Sequence, residues 1–435
     1  MKPFNPLSDR VKNSLKPFLT SPNRVKNNLK PFIRGSLLAF VLTSAASAAP
    51  QWVQTWGAAP LPPTPALGPF PATPSFNNQT VRQTVRVSRG GPRIRIRLTN
   101  EYGTSPLVVG AVRVALADAK GNIRPGTTHP VLFSGKPSVT IPAAAPFVSD
   151  PVDLPVKALS SLSISLYLPE DTGQCTCHQT GMQNAYVSDT GDFTDKPFVP
   201  RQTLQARVFI SGVEVESAQP ARAVVVLGDS ISDGVGSTVD ANHRWPDLLA
   251  DRLEGSWGVV NMGISGNRVL GDGAGQSALA RFDRDVLSTP GAKVVIVFEG
   301  VNDLGISYGN PQGPMAERFK ALAPAHKVTS DDLIAGYRQM IARAHAKGLR
   351  VIGATITPYG GAMYYSQEGE TVRQAVNHWI RTSHELDGLI DFDAVIRDPG
   401  DATQMKEGFH MGDHLHGSDA GYAAMAAAID LSLLK

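Results

Sequence analysis

Four short segments of this 435-residue chain combine residue types suited to acyl transfer. Gly228-Asp229-Ser230 supplies a hydroxyl that can act as a nucleophile. Asp413-x-x-His416 supplies an imidazole base and a carboxylate to orient it, close enough to share one loop. Asn302, in Gly300-Val301-Asn302-Asp303, offers a neutral side-chain donor. Gly266 follows Gly263-Ile264-Ser265 and lets a backbone N–H approach a ligand closely. A serine needs an adjacent base to attack an ester carbonyl near neutral pH, and the resulting oxyanion needs donors already in place. Each segment alone is commonplace. Together, in this order, they complete a set of nucleophile, base, orienting acid and oxyanion site.

The elements that must position these groups are legible from periodicity. Beyond residue 216, short apolar runs alternate with helix-length patterns. Strands are expected at Ala223–Leu227, Val259–Val260, Val294–Phe298, Val351–Ala354 and Leu389–Ile390. Helices are expected at Pro246–Leu253, Ala278–Leu287, Asp331–Ala346, Glu370–Glu385 and Asp419–Leu433. Continuous β-branched runs between helices imply a parallel sheet buried on both faces, with chemistry at the carboxyl ends of its strands. Three of the four segments directly follow an expected strand. Residues 49–216 read instead as β. Thr80–Val87 and Arg93–Leu98 alternate in polarity around Gly90-Gly91-Pro92, which predicts a hairpin. Many short strands with Pro-rich turns predict a β-sandwich, and Pro60–Pro74 reads as a surface loop.

The four segments resemble the motif blocks of the SGNH, or GDSL, hydrolase superfamily. Upstream, Trp52–Ala58, Leu98–Gly103 and Ser165–Pro169 resemble a bacterial subgroup with a β domain ahead of the hydrolase. The resemblance implies a flavodoxin-like three-layer α/β/α domain over 217–435 behind a β-sandwich domain over 49–216. It implies Ser230 as nucleophile, His416 as base and Asp413 as orienting acid. The N–H groups of Ser230 and Gly266 and the side chain of Asn302 would form the oxyanion hole. No cofactor and no metal is implied. Gly417 departs from the pattern, since many relatives carry Pro after the histidine. The Gly-x-Ser-x-Gly elbow of α/β-hydrolases is missing around Ser230.

Competing readings rest on the same segments. His414 lies beside Asp413 and competes with His416 for the base. His410, Asp413, His414 and His416 could hold zinc, although catalytic zinc sites usually draw on more than one segment. Asp233, Asn267, Arg268 and Tyr308 closely follow the motif blocks and are candidates for lining the substrate pocket, with structural bonds as the alternative. Asp303 reads as structural. Cys175 and Cys177 are too few for a disulfide scaffold but could bridge in an oxidising compartment, and His178 beside them could face the cleft. Trp52 and Trp56 read as core or interface residues, with stacking on sugars as the alternative.

Composition narrows the class. With 42% hydrophobic and 18% charged residues, the chain can bury a large core, which excludes global disorder. Residues 1–34 carry eight Lys or Arg, partly in a repeat of spacing 14, then an apolar run and Ala46-Ser47-Ala48. Basic, apolar and small in that order reads as a secretory signal over residues 1–48, its apolar run too short to span a bilayer as a folded anchor, with a cytosolic tail ahead of an uncleaved anchor as the alternative. Removal of the signal leaves 33 Lys and Arg against 37 Asp and Glu, a net charge of −4. That charge gives no electrostatic basis for binding nucleic acid. The expectation is a secreted or periplasmic ester hydrolase, without stable membrane insertion after cleavage. The resemblance and export together point to an acylated carbohydrate as substrate. The alternatives are a broad arylesterase or lipase on longer acyl esters, and a non-catalytic carbohydrate-binding protein with a retired hydrolase domain.

Overall fold

The structure, a computed structural model, describes residues 51–66, 72–118, 121–217 and 220–435. The signal-peptide reading of residues 1–48 falls outside them. The described residues pack as one compact unit. Among them, no helix is long and apolar enough to cross a membrane.

The carboxyl-terminal half is built on a five-stranded parallel sheet. Its strands are β1 (Ala223–Gly228), β2 (Gly258–Asn261), β3 (Ala292–Phe298), β4 (Arg350–Ala354) and β5 (Gly388–Ile390). Their spatial order is 2-1-3-4-5, the flavodoxin-like order the resemblance implies. All six residues of β1 are buried, as its unbroken apolar run predicts. In this order the chain reverses direction across the sheet between β1 and β3, so a crevice opens beyond their carboxyl ends.

The helices are α1 (Ser230–Asp233), α2 (Trp245–Leu253), α3 (Ala278–Phe282), α4 (Val301–Tyr308), α5 (Pro314–Leu322), α6 (Ser330–His345), α7 (Gln367–Thr382), α8 (Phe392–Ile396) and α9 (Asp419–Ala428). Helix α6 starts one residue before the expected position because Thr329 and Asp332 form a reciprocal capping box. Helix α7 starts at Gln367 because the Ser366 hydroxyl caps the N–H of Gly369. The expected helix Asp419–Leu433 stops at Ala428. There Arg252 takes the carbonyls of Ala426 and Ile429, and a single 3-10 turn follows. The expected helix Ala278–Leu287 changes to a π turn at Asp283. Helices α1, α4, α5 and α8 have no counterpart in the periodicity.

The amino-terminal half holds two larger antiparallel sheets and two two-stranded ribbons, Leu107–Val109 with Val139–Ile141 and Cys177–His178 with Arg207–Val208. One larger sheet orders strands Gln51–Gly57, Ile210–Ser217, Ile94–Asn100 and Ala145–Val148. The other orders Gln202–Leu204, Ala185–Thr190, Gln79–Arg86, Ser161–Leu168, Ala111–Ala117 and His129–Pro130. The expected hairpin is therefore wrong: its two strands lie in different sheets. The glycines between them serve close backbone approach, not a tight turn. Gly91 exchanges both backbone bonds with Val156, and a Cβ on it would lie 2.4 Å from the Glu216 carbonyl oxygen. That pairing draws the second strand away from the first.

The halves meet at the edge of the parallel sheet. Strand Gln51–Gly57 packs against β2, and Gln54 N–H donates to the Pro290 carbonyl at 3.0 Å. Val259 N–H donates to the Ser88 hydroxyl at 2.8 Å, so the open side of β2 is occupied. In the carboxyl-terminal half, Trp245 is fully buried and meets the rings of Phe298 and Phe392 edge-on at 6.4 and 5.3 Å. Trp245→Ala should destabilise the protein by about 3–5 kcal/mol. Urea unfolding with an unchanged slope is the check.

Candidate active site

The candidate site lies beyond the carboxyl ends of β2, β1 and β3. Strand β1 runs into Asp229, which caps α1 by accepting the Ile231 N–H at 2.9 Å. This places Ser230 at the first position of α1. The loop after α1 is fastened to the start of α9. Asp419 accepts the N–H and hydroxyl of Thr238 and contacts His243 Nδ1 at 2.7 Å, while Tyr422 O–H donates to the Val235 carbonyl at 2.5 Å. These bonds bring two loops nearly two hundred residues apart against each other.

Within that junction, His416 Nε2 lies 2.8 Å from Ser230 Oγ and His416 Nδ1 lies 2.6 Å from Asp413 Oδ2. The Asp413 carboxylate accepts, so Nδ1 carries the proton and Nε2 is left to accept from the serine. Asp413 Oδ1 also accepts the N–H groups of Leu415 and His416 at 3.0 and 2.9 Å, so the loop wraps its own carboxylate. Burial works to raise the Asp413 pKa, but the bonds from His416 outweigh it and hold the group at about 2. His414 points elsewhere: its ring lies against that of His410, tilted by 32° with centroids 4.4 Å apart. The four residues weighed as a zinc set thus divide into one ring pair and one base–carboxylate pair.

The expected oxyanion donors follow the two strands that neighbour β1 in the sheet. After β2, Asn267 N–H donates to the Ile264 carbonyl at 3.0 Å and Gly266 takes φ +80°, the conformation a type II turn demands of its third residue. Asn302 sits in the first turn of α4, after β3. One proton of its Nδ2 goes to the Asn267 carbonyl at 2.9 Å, and Tyr364 O–H donates to its Oδ1 at 3.3 Å. The amide is thus fixed in orientation, with one N–H to spare.

Sequence reasoning missed the residue that ties these pieces together. Arg281 on α3 is fully buried. Its Nη2 donates to the Gly228 carbonyl at 3.0 Å, its Nη1 to the Met262 carbonyl at 2.5 Å and its Nε to Asn267 Oδ1 at 2.9 Å. It also pairs with Asp285 at 3.1 Å and Glu299 at 3.2 Å. One guanidinium therefore spans the ends of β1, β2 and β3. A signal existed: Arg281 is a charge set among Ala278, Phe282 and Val286 on an apolar helix face.

The four candidates for lining the pocket have other employment. Asp233 is buried, and its oxygens are committed to His178 and Ser265. Asn267 is buried and uses its whole amide on Ala274, Gln276 and Arg281. Arg268 holds the carbonyls of Leu322 and Asp272, and Tyr308 O–H donates to the Val328 carbonyl. Asp303 accepts the N–H groups of Val269 and Leu270 at 2.8 and 3.1 Å, a structural task. Burial pushes its carboxyl up to about 6 and that of Asp229 up to about 7.

Residues 226–424 match the model of the GDSL-like Lipase/Acylhydrolase family. Solved structures similar to the chain include a GDSL-like lipase from Bacteroides thetaiotaomicron, at 18% identity over 50% of this chain and 91% of that one, TM-score 0.36. An acetyl xylan esterase from Geobacillus stearothermophilus is 20% identical over 48% of this chain and 92% of its own, TM-score 0.35. The aryl esterase of M. smegmatis is 15% identical over 48% and 96%, TM-score 0.37. No curated protein matches the chain.

Two outcomes follow from this geometry. Asn302→Ala should lower kcat on a soluble ester by about 10²–10³ with little change in KM, as steady-state kinetics would read. Asp229 is protonated in the folded chain and ionised in the unfolded one between its ordinary pKa, about 3.9, and about 7. The folded state then binds more protons, so this group makes stability fall as pH rises through that window. Asp229→Asn should flatten that fall in melting temperatures taken from pH 4 to pH 8.

Proposed function

We propose that the chain is a carboxylic ester hydrolase that removes short acyl groups from carbohydrates outside the cytoplasm, using Ser230, His416 and Asp413; the match of residues 226–424 to the GDSL-like lipase/acylhydrolase family supports the reading. The observation that carries the mechanistic reading is the continuous path from Asp413 through His416 to Ser230, at 2.6 and 2.8 Å. In the first step His416 Nε2 takes the Ser230 proton as Oγ bonds to the ester carbonyl carbon. The N–H groups of Ser230 and Gly266 and the Asn302 amide stabilise the oxyanion. As the carbon–oxygen bond to the alcohol breaks, His416 returns its proton to that oxygen and the acyl group stays on Ser230. Water then gives a proton to His416 and its oxygen to the acyl carbon. Collapse releases the acid and re-forms the serine hydroxyl. Asp413 stabilises the imidazolium that forms twice in this cycle.

The carbohydrate half of the reading draws on the export and the two-part organisation expected from the sequence. The Cys175–Cys177 disulfide supports an oxidising compartment. A second reading, an arylesterase or lipase on longer acyl chains, is favoured by one observation. Met411, whose N–H donates to the His416 carbonyl, and Met363, next to Tyr364, are both more than half exposed. They offer apolar surface beside the loops that hold the base and the Asn302 amide.

Release of acetate from acetylated xylan by the mature chain, absent in Ser230→Ala, is the expected result. Cleavage that instead strengthens with acyl length along a p-nitrophenyl ester series, without acetate release from xylan, selects the second reading.

A further inference from the structure

His178 belongs to the amino-terminal half, yet it touches the catalytic half at its centre. It is buried in a two-residue ribbon paired with Arg207–Val208, immediately after the disulfide-bonded Cys177. Its Nδ1 lies 2.9 Å from the Ala59 carbonyl. Its Nε2 lies 2.8 Å from Asp233 Oδ1 and 3.2 Å from the Thr180 carbonyl. Carbonyls and a carboxylate only accept, so both ring nitrogens have to donate. The ring that fits this pocket is an imidazolium paired with the Asp233 carboxylate.

Asp233 passes this contact on to the site. It lies three residues after Ser230 in the same turn, and its N–H donates to the Asp229 carbonyl at 2.9 Å. Its second oxygen accepts both the N–H and the hydroxyl of Ser265, at 3.0 and 2.7 Å. Ser265 is the residue that precedes Gly266 in the oxyanion turn. One carboxylate thus joins the nucleophile's turn to the oxyanion turn, and one of its two oxygens is held by His178.

We infer that His178 is a positioning residue for ester hydrolysis: as an imidazolium it fixes Asp233, and through Asp233 it sets the Gly266 donor against Ser230. The inference rests on the hydrolytic reading above. Burial opposes the charge on His178, but Asp233 outweighs it and raises the pKa above the ordinary imidazole value. Arg207 also faces His178 and acts the other way, and Arg244 faces Asp233. The charge therefore persists to higher pH than on a free imidazole and is lost as pH rises past the raised value. Loss of the proton leaves either Asp233 or the Ala59 carbonyl without its donor inside the protein, a costly state for a buried acceptor.

The test uses the full chain and p-nitrophenyl acetate, with His178→Gln, Ser265→Ala and the double variant. A displaced turn should cost about tenfold in kcat for each single variant, at unchanged KM. The double variant should be no slower than the slower single one, because both act on Asp233. Loss of kcat at alkaline pH should be seen in the wild type and vanish in His178→Gln. Unchanged kcat in Ser265→Ala, or fully additive losses in the double variant, overturns the inference, and the Ser265 variant decides alone where His178→Gln does not fold. Nitrogen-15 NMR of the wild type should show both ring nitrogens of His178 protonated at neutral pH. A neutral ring there overturns the inference whether or not any ester is cleaved. A wild type inactive on every ester defeats the hydrolytic reading instead.

Discussion

One buried guanidinium sets the layout of the catalytic centre. Arg281 takes carbonyls from the ends of β1 and β2 and a carboxylate just past β3. Three parallel strands fix their own spacing along the sheet, but nothing in a ladder fixes the loops beyond it. A planar donor with five N–H groups in fixed directions can do that. The arrangement is poor value as stabilisation, because removing an arginine and its carboxylates from water offsets most of their attraction. Its effect is on position. Gly228 leads to the nucleophile, Met262 to the oxyanion turn and Glu299 to the Asn302 helix, so one side chain references all three.

The remaining groups reach the centre from outside the sheet. The base and its carboxylate come from a loop near the carboxyl end of the chain, fastened to the loop after α1 through Asp419 and Tyr422. His178 arrives from the antiparallel half and contacts the turn that carries Ser230. The site is thus assembled from local loops that follow the strands and from two distant segments. The antiparallel half takes part in the geometry of the centre whether or not it binds a ligand of its own.

What the sequence disclosed follows this division. Ser230, Gly266 and Asn302 were legible because each follows an apolar run that can only be a buried strand, and loops after such strands converge. Asp413 and His416 were legible because their partner is three residues away. Arg281 escaped, and His178 was legible only as a residue that could face the cleft, because their partners are fixed by tertiary packing, and a lone charge gives no sign of which groups it will meet. Asn267 and Asp233 stayed open between pocket lining and structural bonds for a related reason. They are neighbours of the motif residues in sequence, but the chain turns inward at both and spends their polar atoms on the protein. The hairpin failed because alternation reports a strand's two faces and says nothing about which sheet the strand joins.

The pairing of strand Gln51–Gly57 with Ile210–Ser217 has a consequence for how the molecule acquires its shape. Gln51 lies opposite Ser217, so the first described strand waits for a partner from the far end of the antiparallel half. The same strand then covers β2, which follows later still. Contacts this remote in sequence are entropically slow to close. A chain emerging amino end first therefore spends that interval with an unpaired apolar strand and no template for the sheet edge. The seam between the two halves can therefore close only after segments from both have been made.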